Sequence, residues 1–234
     1  MTGASAVLDQ IIRRTRCLLL DFDGPICDIF AGHPATAVAE QLRTLITSQG
    51  IQLPADITHT TDPIEIFAYS ATISPDLAAK VEAEMADQEV AAVPTARPAP
   101  YVHEVVTSAR ESGRTVAVVS NNSERAVRAY LDQHGLDDRI DFVSARTSPD
   151  PALLKPDPHL LHQALTELAA SPGECVLVGD QPTDMQAART TGIDSIGYAN
   201  KPGKTDRLAH AGATTVVTSL AELVLPVRAR RYPD

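Results

Sequence analysis

Cys17-Leu18-Leu19-Leu20-Asp21-Phe22-Asp23-Gly24-Pro25-Ile26-Cys27-Asp28 is the stretch that decides the fold of this 234-residue chain. A short apolar run ends in two aspartates one residue apart, followed by a glycine. Residues 18–20 are too few for a core helix and are bounded by a turn signal, so they read as a buried strand. Side chains alternate along a strand, which points Asp21 and Asp23 the same way. Neighbouring carboxylates repel, and desolvation raises the cost. A bound cation, a shared proton or full exposure to water would relieve them.

Upstream, residues 4–15 have the spacing of a short amphipathic helix, with Val7, Ile11 and Ile12 on one side. Downstream come three helix patterns. Pro34 opens the first, with Val38, Leu42, Leu45 and Ile46 at helical spacing and Gly50 at its end. Asp62-Pro63-Ile64-Glu65 is a helix-start signature, and Ser74-Pro75 begins a third helix with Leu77, Val81 and Met85 on one face. The prolines of 93–100 then break the pattern and read as a hinge or linker. Residues 30–95 thus form an all-helical insertion, and residues 1–29 with 96–234 form the body that carries it.

From Tyr101 the rhythm alternates between helix and strand. Val102, Val105, Val106 and Ala109 mark a helix face closed by Gly113. Residues 115–119 form a β-branched strand ending at Ser120-Asn121-Asn122, and the next helix has Asn121 and Glu124 spaced as a capping pair, with Gly135 at its end. Residues 140–143 read as a short strand. Leu154-Lys155-Pro156-Asp157-Pro158 follows, with Asp157 and Pro158 placed to start a helix over 160–168. Residues 175–178 are the next strand, running into Gly179-Asp180-Gln181-Pro182-Thr183-Asp184; Thr183 and Gln186 then suit a capping box, and Gly192 a helix stop. Residues 195–196 and 215–217 complete the strands.

Alternating β and α units with β-branched strands predict an α/β fold: a parallel sheet with helices on both faces. Ligands of such sheets bind beyond the carboxyl ends of the strands. Each acidic or hydroxyl motif here follows an apolar run, at that end, so the motifs converge on one crevice. Among the three remedies for the paired aspartates, this convergence favours a metal.

A net charge of −10 argues against a nucleic-acid footprint. The basic cluster Arg228, Arg230 and Arg231 reads as a solvated tail. Cys17 and Cys175 sit in apolar runs as small core residues. Cys27 lies near the acidic pair, where oxidation sensitivity is the lesser reading. No stretch reaches transmembrane length, and residues 1–16 are too interrupted by polar groups for a signal peptide, so the expected location is the cytoplasm, without a membrane partner.

These motifs, in their order, resemble those of the haloacid dehalogenase superfamily, on its phosphatase side near phosphoglycolate phosphatase and β-phosphoglucomutase. The likeness covers roughly residues 16–220. Asp21-x-Asp23-Gly matches the first motif, Ser120 the second, Lys155 in Lys-Pro-Asp-Pro the third, and Gly179-Asp180-x-x-x-Asp184 the fourth. The ordered set is far more specific than any one member. The resemblance implies a Rossmann-like core with a helical cap inserted after the first strand. Two departures stand out. Gly24-Pro25-Ile26 replaces the family's Gly-Thr-Leu, removing a backbone donor from the flap, and Tyr101 stands where glycine is common.

The resemblance assigns roles. Asp21 would be the nucleophile that forms an aspartyl-phosphate. Asp23 would protonate the leaving oxygen and then activate water, with its backbone carbonyl on the metal. Mg²⁺ is the expected ion, with Asp180 a direct ligand and Asp184 behind it or bound through water. Ser120 would hold a phosphoryl oxygen, assisted by the N–H groups of Phe22 and Asn121. Lys155, one of four lysines, would offset the charge on Asp21 and the phosphate. Asn122, His33 and Tyr101 are weaker candidates, and His159 and His162 read as structural. The implied function is a Mg²⁺-dependent phosphatase acting on a small phosphorylated metabolite, as a monomer or dimer. Its rivals are a sugar-phosphate phosphomutase and a non-catalytic phosphate-binding regulator; dehalogenation is disfavoured because Asp23 and the fourth motif are intact.

Overall fold

The computed structural model describes residues 3–228. Helix α1 (Gly3–Arg14) leads into strand β1 (Cys17–Leu20). A two-residue strand β2 (Cys27–Asp28) precedes four helices: α2 (Ala35–Ser48), α3 (Ala55–His59), α4 (Pro63–Ile73) and α5 (Pro75–Ala92). Strand β3 (Arg97–Pro98) brings the chain back. The remainder runs α6 (Val102–Glu111), β4 (Thr115–Ser123), α7 (Glu124–Gln133), β5 (Phe142–Arg146), α8 (His159–Glu167), β6 (Cys175–Gly179), α9 (Pro182–Thr191), β7 (Asp194–Tyr198), α10 (Lys204–His210), β8 (Thr215–Val217) and α11 (Ala221–Arg228).

Six strands form one parallel sheet in the order β5-β4-β1-β6-β7-β8. The period of two along the central strands decides what lies on each face. Leu18, Leu20, Val116, Val118, Val176 and Val178 face one way, onto Ile11 and Ile12 of α1, Val105 of α6, Val127 and Tyr130 of α7 and Leu223 of α11. Cys17, Leu19, Ala117, Val119, Cys175 and Leu177 face the other way, onto Leu160, Leu161 and Ala164 of α8 and Ala187 and Ala188 of α9. Both faces being covered explains the near-continuous apolar runs. Truncating a buried leucine such as Leu19 to alanine in such a core costs about 2–5 kcal/mol.

The helices between β2 and β3 have a core of their own. Val38, Leu42 and Ile46 of α2, Ile66 and Phe67 of α4, and Leu77, Val81 and Met85 of α5 pack together, joined by Leu154 from the loop after β5. Asp62 caps α4 through Ile64 N (2.9 Å), and Ser74 caps α5 through Leu77 N (3.1 Å). The prolines after α5 are not a bare linker. Arg97–Pro98 pairs antiparallel with Cys27–Asp28, so the two ends of the helical segment lie side by side.

Several boundaries move from those read in the sequence. Strand β4 continues to Ser123, with a bulge between Ser120 and Ser123, so Ser123 rather than Asn121 caps α7. Strand β5 lies at Phe142–Arg146 instead of 140–143, because Ser144 and Arg146 find buried partners that their polarity conceals. Helix α8 begins at His159, with Asp157 Oδ1 accepting from His159 N. Helix α9 begins at Pro182, and its capping box is Gln181 with Asp184, not Thr183 with Gln186. Tyr101 adopts a left-handed conformation (φ 68°), which explains why glycine suits that position. Arg228 is exposed at the end of α11; Arg230 and Arg231 lie outside the described residues. Among the described residues no helix is long and apolar enough to cross a membrane.

Candidate active site

Four segments deliver side chains to the carboxyl edge of the sheet. Asp21 N donates to Val178 O (2.9 Å), continuing the β1–β6 ladder one residue past the strand and holding the Asp21 carboxyl at that edge. Phe22 behind it is buried edge-on against Tyr130, with ring centroids 5.3 Å apart. The turn closes around Pro25 with backbone bonds that do not need its missing donor: Gly24 N to Cys27 O (2.6 Å), and Ile26 N and Cys27 N to Phe22 O (3.1 and 3.0 Å). Gly24 has φ 112°, and a Cβ there would meet Asp180 Oδ2 at 2.6 Å. Glycine is therefore required where the flap crosses the acidic cluster.

Lys155 is buried and donates to Asp21 Oδ1 (2.9 Å), Asp184 Oδ1 (2.6 Å) and Val119 O (2.8 Å). All three ammonium donors thus find acceptors. Burial alone would lower its pKa, but the Asp184 and Asp21 charges and hydrogen bonds prevail and hold it above its ordinary value. Asp21 Oδ1 also accepts from Phe22 N (2.8 Å), so the Phe22 N–H expected to face phosphate is committed to its neighbour's carboxylate. Asp184 sits on the first turn of α9 and accepts from Gln181 N at Oδ2 (2.9 Å). It both caps the helix and anchors Lys155.

Ser120 is buried at the bulge of β4; its Oγ accepts from Asn122 N (3.1 Å) and donates to Asn122 Oδ1 (3.2 Å). Asn121 clamps the main chain of Lys155 at both ends: its Nδ2 donates to Lys155 O (3.0 Å) and its Oδ1 accepts from Lys155 N (2.8 Å).

Asp180 follows β6. Lys204 and Asn200 both donate to its Oδ2, the latter at 3.2 Å, while Oδ1 is buried with no partner among the described residues. One oxygen from each of Asp21, Asp180 and Asp184 lies within 4.8 Å of the others. Burial raises the Asp21 pKa well above its ordinary value, Asp184 adds to the rise and Lys155 opposes it. Asp180 is raised by burial and by Asp184, against Lys204 and Asn200. A hard divalent cation fits these residues: the donors are all oxygen, one of them is orphaned, and the excess charge is negative. Asp23, whose Oδ1 accepts from Ile29 N (3.2 Å), lies outside this trio, and burial and the Asp180 charge push its pKa up to about 7.

A cavity of about 460 Å³ joins these groups. Asp21, Asp23, Ser120, Asn121, Lys155 and Asp184 line it from the sheet, Thr61–Ile64 and Met85 from the helical segment, and Arg207 from α10. Among the weaker candidates, Asn122 lines it as well. His33 instead bonds Gln88 Oε1 (2.8 Å), Tyr101 is half exposed, and His159 and His162 stand on the surface. Cys27 is fully buried, with its thiol pKa pushed up by burial and the neighbouring aspartates, which removes the conditions for ready oxidation. The sequence reading missed Lys204, Asn200 and Arg207, which come from a glycine- and proline-broken stretch, and Glu89 and Arg146, described below.

The sequence model of haloacid dehalogenase-like hydrolases matches residues 18–198. A phosphoglycolate phosphatase of Vibrio vulnificus is 29% identical over 126 residues, 53% of this chain and 54% of its own. One from Rhodospirillum rubrum is 34% identical over 116 residues, 47% and 45% of the two chains. The chain thus spans about half the length of the curated relatives it matches. The solved structure of CbbY from Rhodobacter sphaeroides in complex with phosphate superposes with a TM-score of 0.66 at 20% identity, covering 89% of this chain and 96% of that one, a likeness of fold. With the family's sequence pattern running from β1 to β7, this chain belongs to the haloacid dehalogenase-like hydrolases.

Proposed function

We propose that the chain is a Mg²⁺-dependent phosphomonoester hydrolase of a small phosphorylated metabolite, working through an aspartyl-phosphate. The observation that carries this reading is the buried lysine bridging Asp21 and Asp184 at the cavity edge, with Asp180, one of whose oxygens is orphaned, in the same acidic trio. The relatives' phosphatase names support it. A cavity of about 460 Å³ suits a small ligand.

Asp21, Asp180 and the Asp23 carbonyl would hold the ion, with Asp184 behind them; when bound, it would neutralise charge on the phosphoryl oxygens. An Asp21 carboxylate oxygen attacks phosphorus in line, and the bond to the ester oxygen breaks. That oxygen takes the electron pair and the Asp23 proton. Asp23, now a carboxylate, removes a proton from water, whose oxygen attacks the aspartyl-phosphate phosphorus. The bond to Asp21 breaks, returning its carboxylate and releasing inorganic phosphate. A pKa of about 7 at Asp23 suits a group that must be acid in one half and base in the other. Ser120 would donate to a phosphoryl oxygen, and Lys155 would keep Asp21 ionised despite its burial. Residues 30–95 would act as a cap, closing over the site and excluding water.

The test is phosphate release from an aryl phosphate and a panel of phosphorylated metabolites, with and without Mg²⁺. Metal-dependent release is expected. Absence of release from every ester overturns the proposal, and isomerised sugar phosphate without net release would replace it with a mutase.

A further inference from the structure

Helix α5 ends the helical segment and carries Glu82 and Glu89, seven residues apart and so on one face after two turns. Both reach a single guanidinium. Arg146, the last residue of β5, donates from Nη2 to Glu89 Oε2 (3.0 Å), from Nη1 to Glu89 Oε1 (3.2 Å) and from Nε to Glu82 Oε1 (3.1 Å). The side chains of Arg146 and Glu89 are 1% and 2% exposed, so the pair is removed from water. Helix α4 adds the Phe67 ring, 5.9 Å below the guanidinium carbon.

Neither charge stops there. Arg146 Nη1 also donates to Asn121 O (2.6 Å), and Glu89 accepts from Asn122 Nδ2 (3.2 Å) and Ser123 N (2.7 Å). The ion pair therefore holds three successive residues of the bulge that begins at Ser120. Asn121 passes the constraint on through its paired bonds with the main chain of Lys155. We propose that Glu89 and Arg146 are positioning residues: a buried clamp through which the seated helical segment fixes Ser120 and Lys155 against Asp21. A bidentate Arg–carboxylate pair suits this use because its geometry is fixed as well as its energy. In assigning its consequence to turnover, the inference rests on the phosphatase reading above.

Removing one partner strands a buried charge, whereas replacing both with apolar residues of similar volume is often tolerated. The test is therefore the double substitution Glu89→Leu with Arg146→Met, with Arg146→Lys as the conservative companion. If the clamp positions the loop, the folded double variant loses about 10- to 100-fold in kcat, the scale of a small misplacement of reacting groups. KM changes far less, amide exchange at 120–123 and 155 accelerates, and Arg146→Lys falls between the two. A folded double variant with the kcat and exchange of the wild type overturns the proposal. Should the double variant fail to fold, Arg146→Lys decides by the same two readouts. If the wild type hydrolyses no ester, the phosphatase reading fails by itself. Exchange at 120–123 and 155 then decides the clamp: faster in the variants upholds it, unchanged overturns it.

Discussion

The two ends of the parallel sheet each bury an arginine, and they treat it in opposite ways. Arg114, just before β4 at the amino end, donates to main-chain oxygens: Thr15 O (3.0 Å), Ile12 O (3.0 Å) and Val227 O (2.8 Å). Two of these carbonyls lie in the last turns of α1 and α11, where helix dipoles favour a cation. Arg146, at the carboxyl end, is held by carboxylates from the helical segment and by the loop bearing Ser120. At one end a charge fastens helices to the sheet. At the other, charges are gathered around a cavity, and the carboxylates there outnumber the cations. Structural fastening and the candidate site thereby lie at opposite ends of the same strands.

The largest effect that would break this contrast is at Asp21, the proposed nucleophile. Asp21→Asn is expected to lower turnover on the order of 10⁴-fold or more. Its melting temperature should be unchanged or raised, because a raised pKa means the folded site disfavours that charge. A variant that still turns over, or that unfolds readily, would show the carboxylate to be structural. At the opposite end, Arg114→Met should do the reverse. Orphaning several buried carbonyls costs about 3 kcal/mol or more, equivalent to roughly a 6–12 °C fall in melting temperature for a chain of this size. The kcat of the folded fraction should stay at the wild-type value; a drop would mean that the two ends are not separable.

A pH series sharpens the comparison. Asp23 has its folded pKa raised to about 7, so the folded state binds the extra proton. Its contribution to stability is present below about pH 4 and disappears as pH rises from about 4 to 7. Metal-free protein should therefore lose stability across that window, and saturating Mg²⁺ should reduce the loss; equal slopes with and without the ion would contradict an acidic site that a cation completes. The smallest expected effect is Tyr101→Gly. Relieving a left-handed residue at φ 68° should add at most about 1 kcal/mol and leave kcat alone, as read by thermal melts and assay.

The groups of the candidate site are legible in the sequence because they follow apolar runs: Asp21 after β1, Ser120 after the apolar part of β4, Asp180 after β6. Side-chain alternation and the rule that ligands bind at carboxyl ends do the rest. The supporting bonds were illegible for an equally physical reason. Glu82 and Glu89 look like the solvated face of a charged helix, and nothing local shows that Arg146, far along the chain, lies beneath them. An arginine closing the run Val143-Ser144-Ala145 was the one available hint. The extent of strand β5 is hidden for the same reason, since the buried Ser144 hydroxyl lies within hydrogen-bond reach of Leu160 O and Gln163 Oε1, both far along the chain. Asp184 is half legible: its place beside the acidic cluster follows from its motif, but its capping of α9 through Gln181 N, two residues before the expected box, does not.

The short β2–β3 ladder has a consequence for ancestry. Cys27 pairs with Pro98 and Asp28 with Arg97, so the chain leaves the sheet and comes home through a single doorway one strand spacing wide, about 5 Å. A turn of a few residues would bridge that gap without disturbing the parallel strands. The excursion could thus be lengthened or exchanged at its doorway alone, provided that whatever replaces α5 keeps Glu89's hold on Asn122 and Ser123.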